Sequence, residues 1–242
     1  MPNILHPSLS RLRQNESGLA MVEFAVSLPF FLGLTIGGVE IANYASVVMQ
    51  LNQIALHTAD SAARIGTATA NGPKMISEAQ IKDVFEGSLR EGDRINVRGT
   101  HAYVDPGDGT TSIRGNTRII LSSVEEVASF DASSPRYRIR WQRCGGSADN
   151  YTSNYGTVAT ATSVTGIGPV GRQVVPPPGG SIMFVELQYH FKPMLVNGFT
   201  RLTDRTIGQV ASMVVRDRRD LNGPSGSVGI YNVENVTAAT CS

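Results

Sequence analysis

One carboxylate lies inside the longest apolar stretch of the sequence, where a charge costs free energy. Glu23 comes five residues after Gly18 and directly before Phe24. From Leu19 onward, about 21 almost entirely apolar residues follow, enough to cross a bilayer as a helix. An acid at the centre of such a segment opposes insertion by about 2.5–3.5 kcal/mol and an acid near its end by less, so the segment still inserts. Glu23 is therefore a candidate functional residue that needs a partner.

Cleavage between Gly18 and Leu19 would supply that partner. The new α-amine of Leu19 has an ordinary pKa of about 7.7–8.0, so it is largely protonated at neutral pH. Because Leu19 and Glu23 are four residues apart, the amine can contact the carboxylate of its own helix or that of a neighbouring helix shifted along the axis. The positive end of the helix dipole favours an acid at the same place. The spacing predicts a processing site formed by Gly18, Leu19, Glu23 and Phe24.

This arrangement resembles the type IV pilin processing signal, in which a glycine precedes four residues, a glutamate and an aromatic residue. The longer run from Gly18 to Tyr44 is similar to the TadE-like family of pseudopilins or minor pilins in tight-adherence (Tad/Flp) pilus systems. The resemblance extends over roughly residues 11–66 and is diffuse beyond them. It implies a pilin-like architecture, leader removal by a prepilin peptidase, and a role in pilus assembly and surface adhesion. The implied partners are that peptidase, other pilin-like subunits and inner-membrane assembly proteins.

The distribution of charge predicts how the chain crosses the membrane. Arg11 and Arg13 precede the apolar run, and the next basic residue is Arg64. By the positive-inside rule, the N-terminus is cytoplasmic and the chain after the span is exported, which for an inner-membrane protein of a bacterium means the periplasm. We therefore expect a leader (1–18), a transmembrane and extended helix (19–70) and an exported α+β domain (71–242).

Three other hypotheses fit parts of this pattern. An ordinary secretory signal has an apolar core of about 7–15 residues and a nearby small-x-small cleavage site, but here Ala-x-Ala first occurs at Ala68, roughly 30 residues too late. A single-pass anchor could keep its leader and present a periplasmic domain that binds an envelope ligand or polymer. A type II secretion pseudopilin would carry the same processing signal.

The helix itself carries signals for packing against other helices. Pro29 removes one backbone hydrogen bond, which is tolerated in lipid when neighbouring helices compensate. Gly33 and Gly37 follow a small-x-x-x-small pattern that allows close approach of helices. Beyond the span, apolar residues recur at three- and four-residue intervals, so we expect one helix from Leu19 to about Ala68 whose apolar stripe is covered by the globular part or by partner helices.

The exported region predicts a short helix followed by a mainly antiparallel sheet. Ser77 and Gln80 form a capping-box pattern for a helix that ends near Gly92. Segments rich in β-branched and aromatic residues predict strands, which are Asn96–Val104, Thr117–Val127, Arg136–Cys144, Ser181–Phe191, Thr206–Arg216 and, less strongly, Ile230–Val236. Alternation along Ser181–Phe191 predicts a strand with one face on a core. Residues 145–180 predict a long loop.

The two cysteines, Cys144 and Cys241, allow a single pairing. Outside the cytoplasm a disulfide is favoured, and it would close a loop of about 98 residues and stabilise the domain by up to ~4.7 kcal/mol. The alternative is two unrelated thiols.

Composition and motifs argue against catalysis. The net charge of +1 provides no general attraction to nucleic acid, and the four histidines are scattered. Residues 166–171 match a dinucleotide fingerprint but lead into prolines instead of a helix. The acidic segment 105–110 fits a tight turn better than a calcium loop, and the arginines of 136–143 fit the solvated face of a strand better than a phosphate-binding stripe. We therefore expect no enzyme activity, cofactor or metal.

Overall fold

The computed structural model describes residues 17–70, 72–128, 133–194, 204–224 and 228–241. Its described residues form two compact units, one from those within 1–46 and 193–203 and the other from those within 47–192 and 204–242. Most of the predicted leader, including Arg11 and Arg13, lies outside the described residues.

The elements follow one another as a long helix, a short helix and strands. They are α1 (Ser17–Arg64), β1 (Ile76–Ser77), α2 (Glu78–Glu91), a 3-10 turn (Asp93–Ile95), β2 (Thr100–Val104), β3 (Thr111–Gly115), β4 (Thr117–Glu126), β5 (Tyr137–Gly145), β6 (Ser181–Phe191), β7 (Arg205–Val214) and β8 (Ile230–Tyr231). The α+β class and the mainly antiparallel sheet are confirmed.

Helix α1 is continuous over 48 residues and passes through Pro29. It ends at Arg64, four residues before the predicted end at Ala68. Gly66 has a φ of +133°, a conformation that side chains strongly disfavour, and Thr67 pairs with Met75 instead of continuing the helix. In the larger unit the apolar stripe of α1 is covered by the domain itself, since Leu51, Ala55 and other positions at helical spacing are fully buried.

The central sheet has the strand order β5-β4-β6-β7, and every neighbouring pair is antiparallel. β2 and β3 form a separate hairpin, and β1 pairs with β8 in parallel. β3 was not predicted. The predicted strand at Asn96 begins only at Thr100, because Asn96 has a φ of 57° and ends the 3-10 turn. The last predicted strand shrinks to Ile230–Tyr231.

A β-bulge in β5 changes which of its side chains share a face. Ser123 pairs with Trp141, but the next residue, Val124, pairs with Ile139, so Arg140 has no opposite residue. Plain alternation along this strand predicts Tyr137, Ile139 and Trp141 on one face, but the extra residue inverts the alternation and places Trp141 on the opposite face from Ile139.

Helices cover one face of the sheet. The capping box is confirmed, because the Ser77 hydroxyl accepts from the Gln80 amide and the Gln80 side chain accepts from the Ser77 amide. α2 buries Phe85, whose ring leaves no room for a side chain at Gly145 of β5. The Thr58 hydroxyl of α1 lies 2.7 Å from the Ser88 hydroxyl of α2, which joins the two helices.

The long segment 146–180 covers the opposite face. β6 is buried on both sides, so the expectation that only one of its faces meets a core is wrong. Residues of 146–180 pack in an apolar cluster with residues of β4, β5 and β6. The buried members of this cluster are Val124, Tyr137, Ile139, Ala161, Ile167, Ile182 and Phe184.

Polar side chains of the sheet satisfy the backbone of this segment. Gln142 donates to the Gly156 carbonyl at 2.9 Å and Gln188 to the Thr152 carbonyl at 2.8 Å. The Glu186 carboxylate accepts from the Asn154 amide at 2.8 Å and from the Ser153 hydroxyl. Burial raises the pKa of Glu186, while these two hydrogen bonds partly oppose the increase. The strand residues that appear solvent-facing from sequence therefore face an irregular layer of chain.

Arg219 caps the end of α1. Its Nη2 donates to the carbonyls of Ala62 at 2.7 Å and Ile65 at 2.9 Å, and burial lowers its pKa to about 10, so it remains protonated at neutral pH. We expect Arg219→Met to lower the free energy of unfolding by about 1–3 kcal/mol, because these carbonyls lose a charged donor at the negative end of the helix. Urea unfolding followed by the fluorescence of Trp141 measures the change. The exposed Arg216→Met should change it by less than about 0.5 kcal/mol, and equal effects would contradict the capping role.

Candidate membrane anchor and processing site

The first half of α1 exposes a mainly apolar surface. Its most apolar 18-residue window has a mean hydropathy of 1.9, and none of this window is buried. Phe24, Phe30 and Phe31 are 64–73% exposed. Within the described residues, α1 is the one helix that is long and apolar enough to cross a membrane. A surface of this kind is stable only when lipid or other apolar groups cover it.

The hydroxyl groups within this segment are satisfied by the helix itself. Ser27 donates to the Phe24 carbonyl at 3.1 Å, and Thr35 donates to the Phe31 carbonyl at 2.8 Å. Because hydrocarbon offers no hydrogen-bonding partners, polar groups that bond within their own helix suit a lipid environment.

The four predicted processing residues lie in α1, close to Ser17, the first residue that the structure describes. The bond between Gly18 and Leu19 is therefore within the helix. Leu19, Glu23 and Phe24 are exposed. A Cβ atom added at Gly18 would meet no atom within 4 Å, so the folded chain does not require glycine there. Packing among the described residues therefore gives no reason for glycine at this position.

The predicted packing positions are also open to another helix. Pro29 is exposed, and Gly33 and Gly37 are partly exposed. A Cβ atom at Gly37 or at its neighbour Gly38 would meet nothing within 4 Å. These positions leave a shallow surface along the helix, and their use in helix packing stays a prediction.

A second acid, Glu40, follows the apolar run and is fully buried in the smaller unit. Its Oε1 accepts a hydrogen bond from the Met194 amide at 3.2 Å. Its position at the end of the apolar run is the one local signal that could have singled it out. The contact with Met194, 154 residues away, could not be inferred from spacing.

Cys144 and Cys241 form a disulfide, and the amide of Cys144 also donates to the Ala239 carbonyl at 2.8 Å. The end of the described chain is thereby attached to β5. The tail also reaches α2, since the Ser77 hydroxyl donates to Glu234 at 3.0 Å.

The arginines of β5 are paired with acids of the same domain. Arg138 and Arg140 lie near Glu125, and Arg143 pairs with Glu78 at the start of α2. Arg143 is largely buried, so the expectation that it belongs to a solvated strand face is wrong. Helix α2 covers the face of β5 on which Arg143 lies.

The other sequence candidates are turns. Asp105 accepts from the Gly107 amide and Asp108 from the Thr110 amide, each at 2.8 Å, and these bonds shape the turn between β2 and β3. The bonds from Thr110 lower the pKa of Asp108. In the described parts of the chain, no three His, Cys, Asp or Glu side chains are close enough to share a metal ion. Residues 167 and 174 pair across a turn, where a dinucleotide site would need a helix.

The chain matches no protein-family model, and no curated protein or solved structure is significantly similar to it. What is established is therefore an α+β fold and an N-terminal helix capable of spanning a membrane.

Proposed function

We propose that this protein is a TadE-like minor pilin component that acts in the assembly of a Tad/Flp pilus and in surface adhesion. In this proposal α1 anchors it in the bacterial inner membrane with the N-terminus in the cytoplasm, and the α+β domain lies in the periplasm. The observation that supports it best is an exposed apolar helix that carries Gly18, Leu19, Glu23 and Phe24. The protein is a substrate and a structural subunit, not an enzyme.

Glu23 would set the position of the subunit along its neighbours. Residues 19 and 23 are separated by about 6 Å along the helix axis at 1.5 Å per residue. An unpaired carboxylate in lipid is costly, and an α-amine created at Leu19 would neutralise it. When the amine belongs to an adjacent subunit, only one axial offset brings the two charges together. The open surface at Gly33 and Gly37 would allow the helices to approach closely at that offset.

Processing can be tested by the intact mass of the full-length protein, expressed with and without a prepilin peptidase. We expect the protein to lose residues 1–18 only when the peptidase is present. Gly18→Leu should reduce the processed fraction about tenfold or more, because a side chain would obstruct the peptidase while leaving the folded chain undisturbed. Gly38→Leu is the matched control, since it adds the same side chain at another open position of α1 and should be processed normally.

The role of the acid is tested by Glu23→Gln, which preserves size and removes the charge. We expect weaker co-purification with pilin-like partner subunits and loss of fibres. An intact Met1 in the presence of active peptidase would contradict the proposal and favour the unprocessed anchor. Processing accompanied by association with a type II secretion apparatus, and not with Tad assembly proteins, would favour the secretion pseudopilin.

A further inference from the structure

Two histidines that are far apart in sequence stack face to face in the larger unit. His101 lies in β2, and His190 lies near the end of β6. Their ring centroids are 3.5 Å apart and the ring planes differ by 4°. The stack joins the β2–β3 hairpin to the central sheet.

Asn116, which links β3 to β4, holds both histidines in place. Its carbonyl accepts from the His190 amide at 2.8 Å, and its side-chain oxygen lies 3.0 Å from Nδ1 of His101. Its amide group donates to the Asn96 carbonyl at 3.0 Å, which fixes the direction of the side chain. Nδ1 of His101 is therefore the protonated nitrogen of the neutral ring. Asn116 therefore connects the hairpin, the stack and β6 through three hydrogen bonds.

The charges around the stack do not compensate two imidazolium ions. Nε2 of His190 is buried and has no hydrogen-bond partner among the described residues. Asp204, which precedes β7, lies 3.6 Å from this nitrogen and favours a positive charge on His190, but its side chain is half exposed. Lys192, which follows β6, opposes a positive charge on His190, and so does His101. Two cations stacked at 3.5 Å would repel one another, and this repulsion is absent while either ring is neutral.

We propose that the His101–His190 stack is a pH-sensitive latch that holds the β2–β3 hairpin against the end of β6 at neutral pH and releases it in acid. On release, the hairpin would move away from the sheet together with Val104 and Ile113, which are already 59% and 71% exposed. This device is separate from processing at Gly18 and goes beyond the proposed role in pilus assembly.

The direction of the pH dependence follows from His190. Burial and the neighbouring His101 lower its pKa below the ordinary value of 6.5. The unfolded or released state therefore binds protons more readily than the closed state. The latch contributes fully above about pH 6.5 and weakens as the pH falls below that value toward the pKa of the closed state.

Hydrogen exchange of the full-length protein in lipid nanodiscs tests the latch. Amide protection factors, corrected for intrinsic exchange, are compared at about pH 7.5 and about pH 5, on either side of the ordinary histidine pKa. We expect protection in 101–104 and 111–114 to fall about tenfold or more in acid, while the amides of 182–187 remain protected. Unchanged protection of the hairpin would overturn the proposal.

Two variants separate the latch from general acid sensitivity. His101→Phe keeps an aromatic ring in the stack but removes the second cation, so the hairpin should lose less protection in acid than in the unmodified protein. His57→Phe removes an exposed histidine that pairs with Glu91 at 2.8 Å, and the acid response of the hairpin should persist. The same response in His101→Phe as in the unmodified protein would overturn the proposal. Should His101→Phe fail to fold, an NMR titration of the unmodified protein decides, because the hairpin amides must shift together with the His190 ring.

Discussion

Replacement of Cys241 by serine should lower the free energy of unfolding by about 2–5 kcal/mol, the usual cost of losing a native disulfide. The bonded cysteines are 97 residues apart, so the crosslink restricts a large part of the unfolded chain. It also holds the tail against β5, where Ala239 accepts from the Cys144 amide. Urea unfolding of the full-length protein in detergent, followed by the buried Trp141, measures the loss.

The reduced protein provides the control for this substitution. Dithiothreitol should destabilise the unmodified protein by about the same 2–5 kcal/mol and leave Cys241→Ser unaffected. The variant with both cysteines replaced should be no less stable than either single variant. A loss of less than about 1 kcal/mol in both comparisons would show that the crosslink adds little to the packing of the tail. Reduction after folding gives the answer even when the serine variant does not fold.

Removal of the Glu78 carboxylate should cost about 3–5 kcal/mol, because it leaves the Arg143 guanidinium buried without a counter-charge. The side chains of Glu78 and Arg143 are 5% and 14% exposed, and Nε of Arg143 lies 2.9 Å from both carboxylate oxygens. Glu78 also occupies the first turn of α2, where the helix dipole favours an acid. Urea unfolding of Glu78→Ala measures the loss.

A surface ion pair of α2 provides the matched comparison. Glu86 pairs with Arg98 at 2.9 Å, but both side chains are 40% exposed or more, so Glu86→Ala should cost less than about 1 kcal/mol. Replacing Glu78 and Arg143 together with methionine should be less damaging than Glu78→Ala, because no buried charge is then left alone. Equal losses for Glu78→Ala and Glu86→Ala would contradict this account.

The elements that the sequence predicts best are those determined by short-range patterns. The capping box at Ser77, the end of α2 at Gly92 and the long α1 helix all depend on residues within a few positions of one another. The bulge at Arg140 could not be read from β5 itself, because it exists only relative to the register with β4. The sequence gives no separate signal for β3, which is five residues long and mostly exposed.

The double burial of β6 shows why the second layer escaped prediction. Glu186 and Gln188 alternate with apolar residues, which predicts a solvent-facing side. In the structure these polar groups bond to the backbone of 152–154 instead. The alternation of polar and apolar residues shows only that a polar layer covers this face of the strand. Irregular backbone has N–H and C=O groups that need hydrogen-bonding partners, so it favours polar strand residues just as water does.

The same distinction between local patterns and long-range contacts applies to the candidate functional residues. The processing site at Gly18, Leu19, Glu23 and Phe24 stays a prediction, and it can be made from sequence because these residues lie within two helical turns of one another. The burial of Glu40 and the stack of His101 on His190 arise from contacts across 154 and 89 positions of the chain, which no local spacing encodes.

The irregular layer over the sheet has an evolutionary consequence. Segment 146–180 is held by hydrogen bonds at fixed points, among them those of Gln142, Glu186 and Gln188. Paired strands can shift in register or lengthen by a residue pair. An inserted residue in 146–180 would instead displace every hydrogen-bonded residue that follows it. Length variation among relatives of this protein should therefore concentrate at the turn 105–110 and spare 146–180, although both regions look like ordinary loops in the sequence.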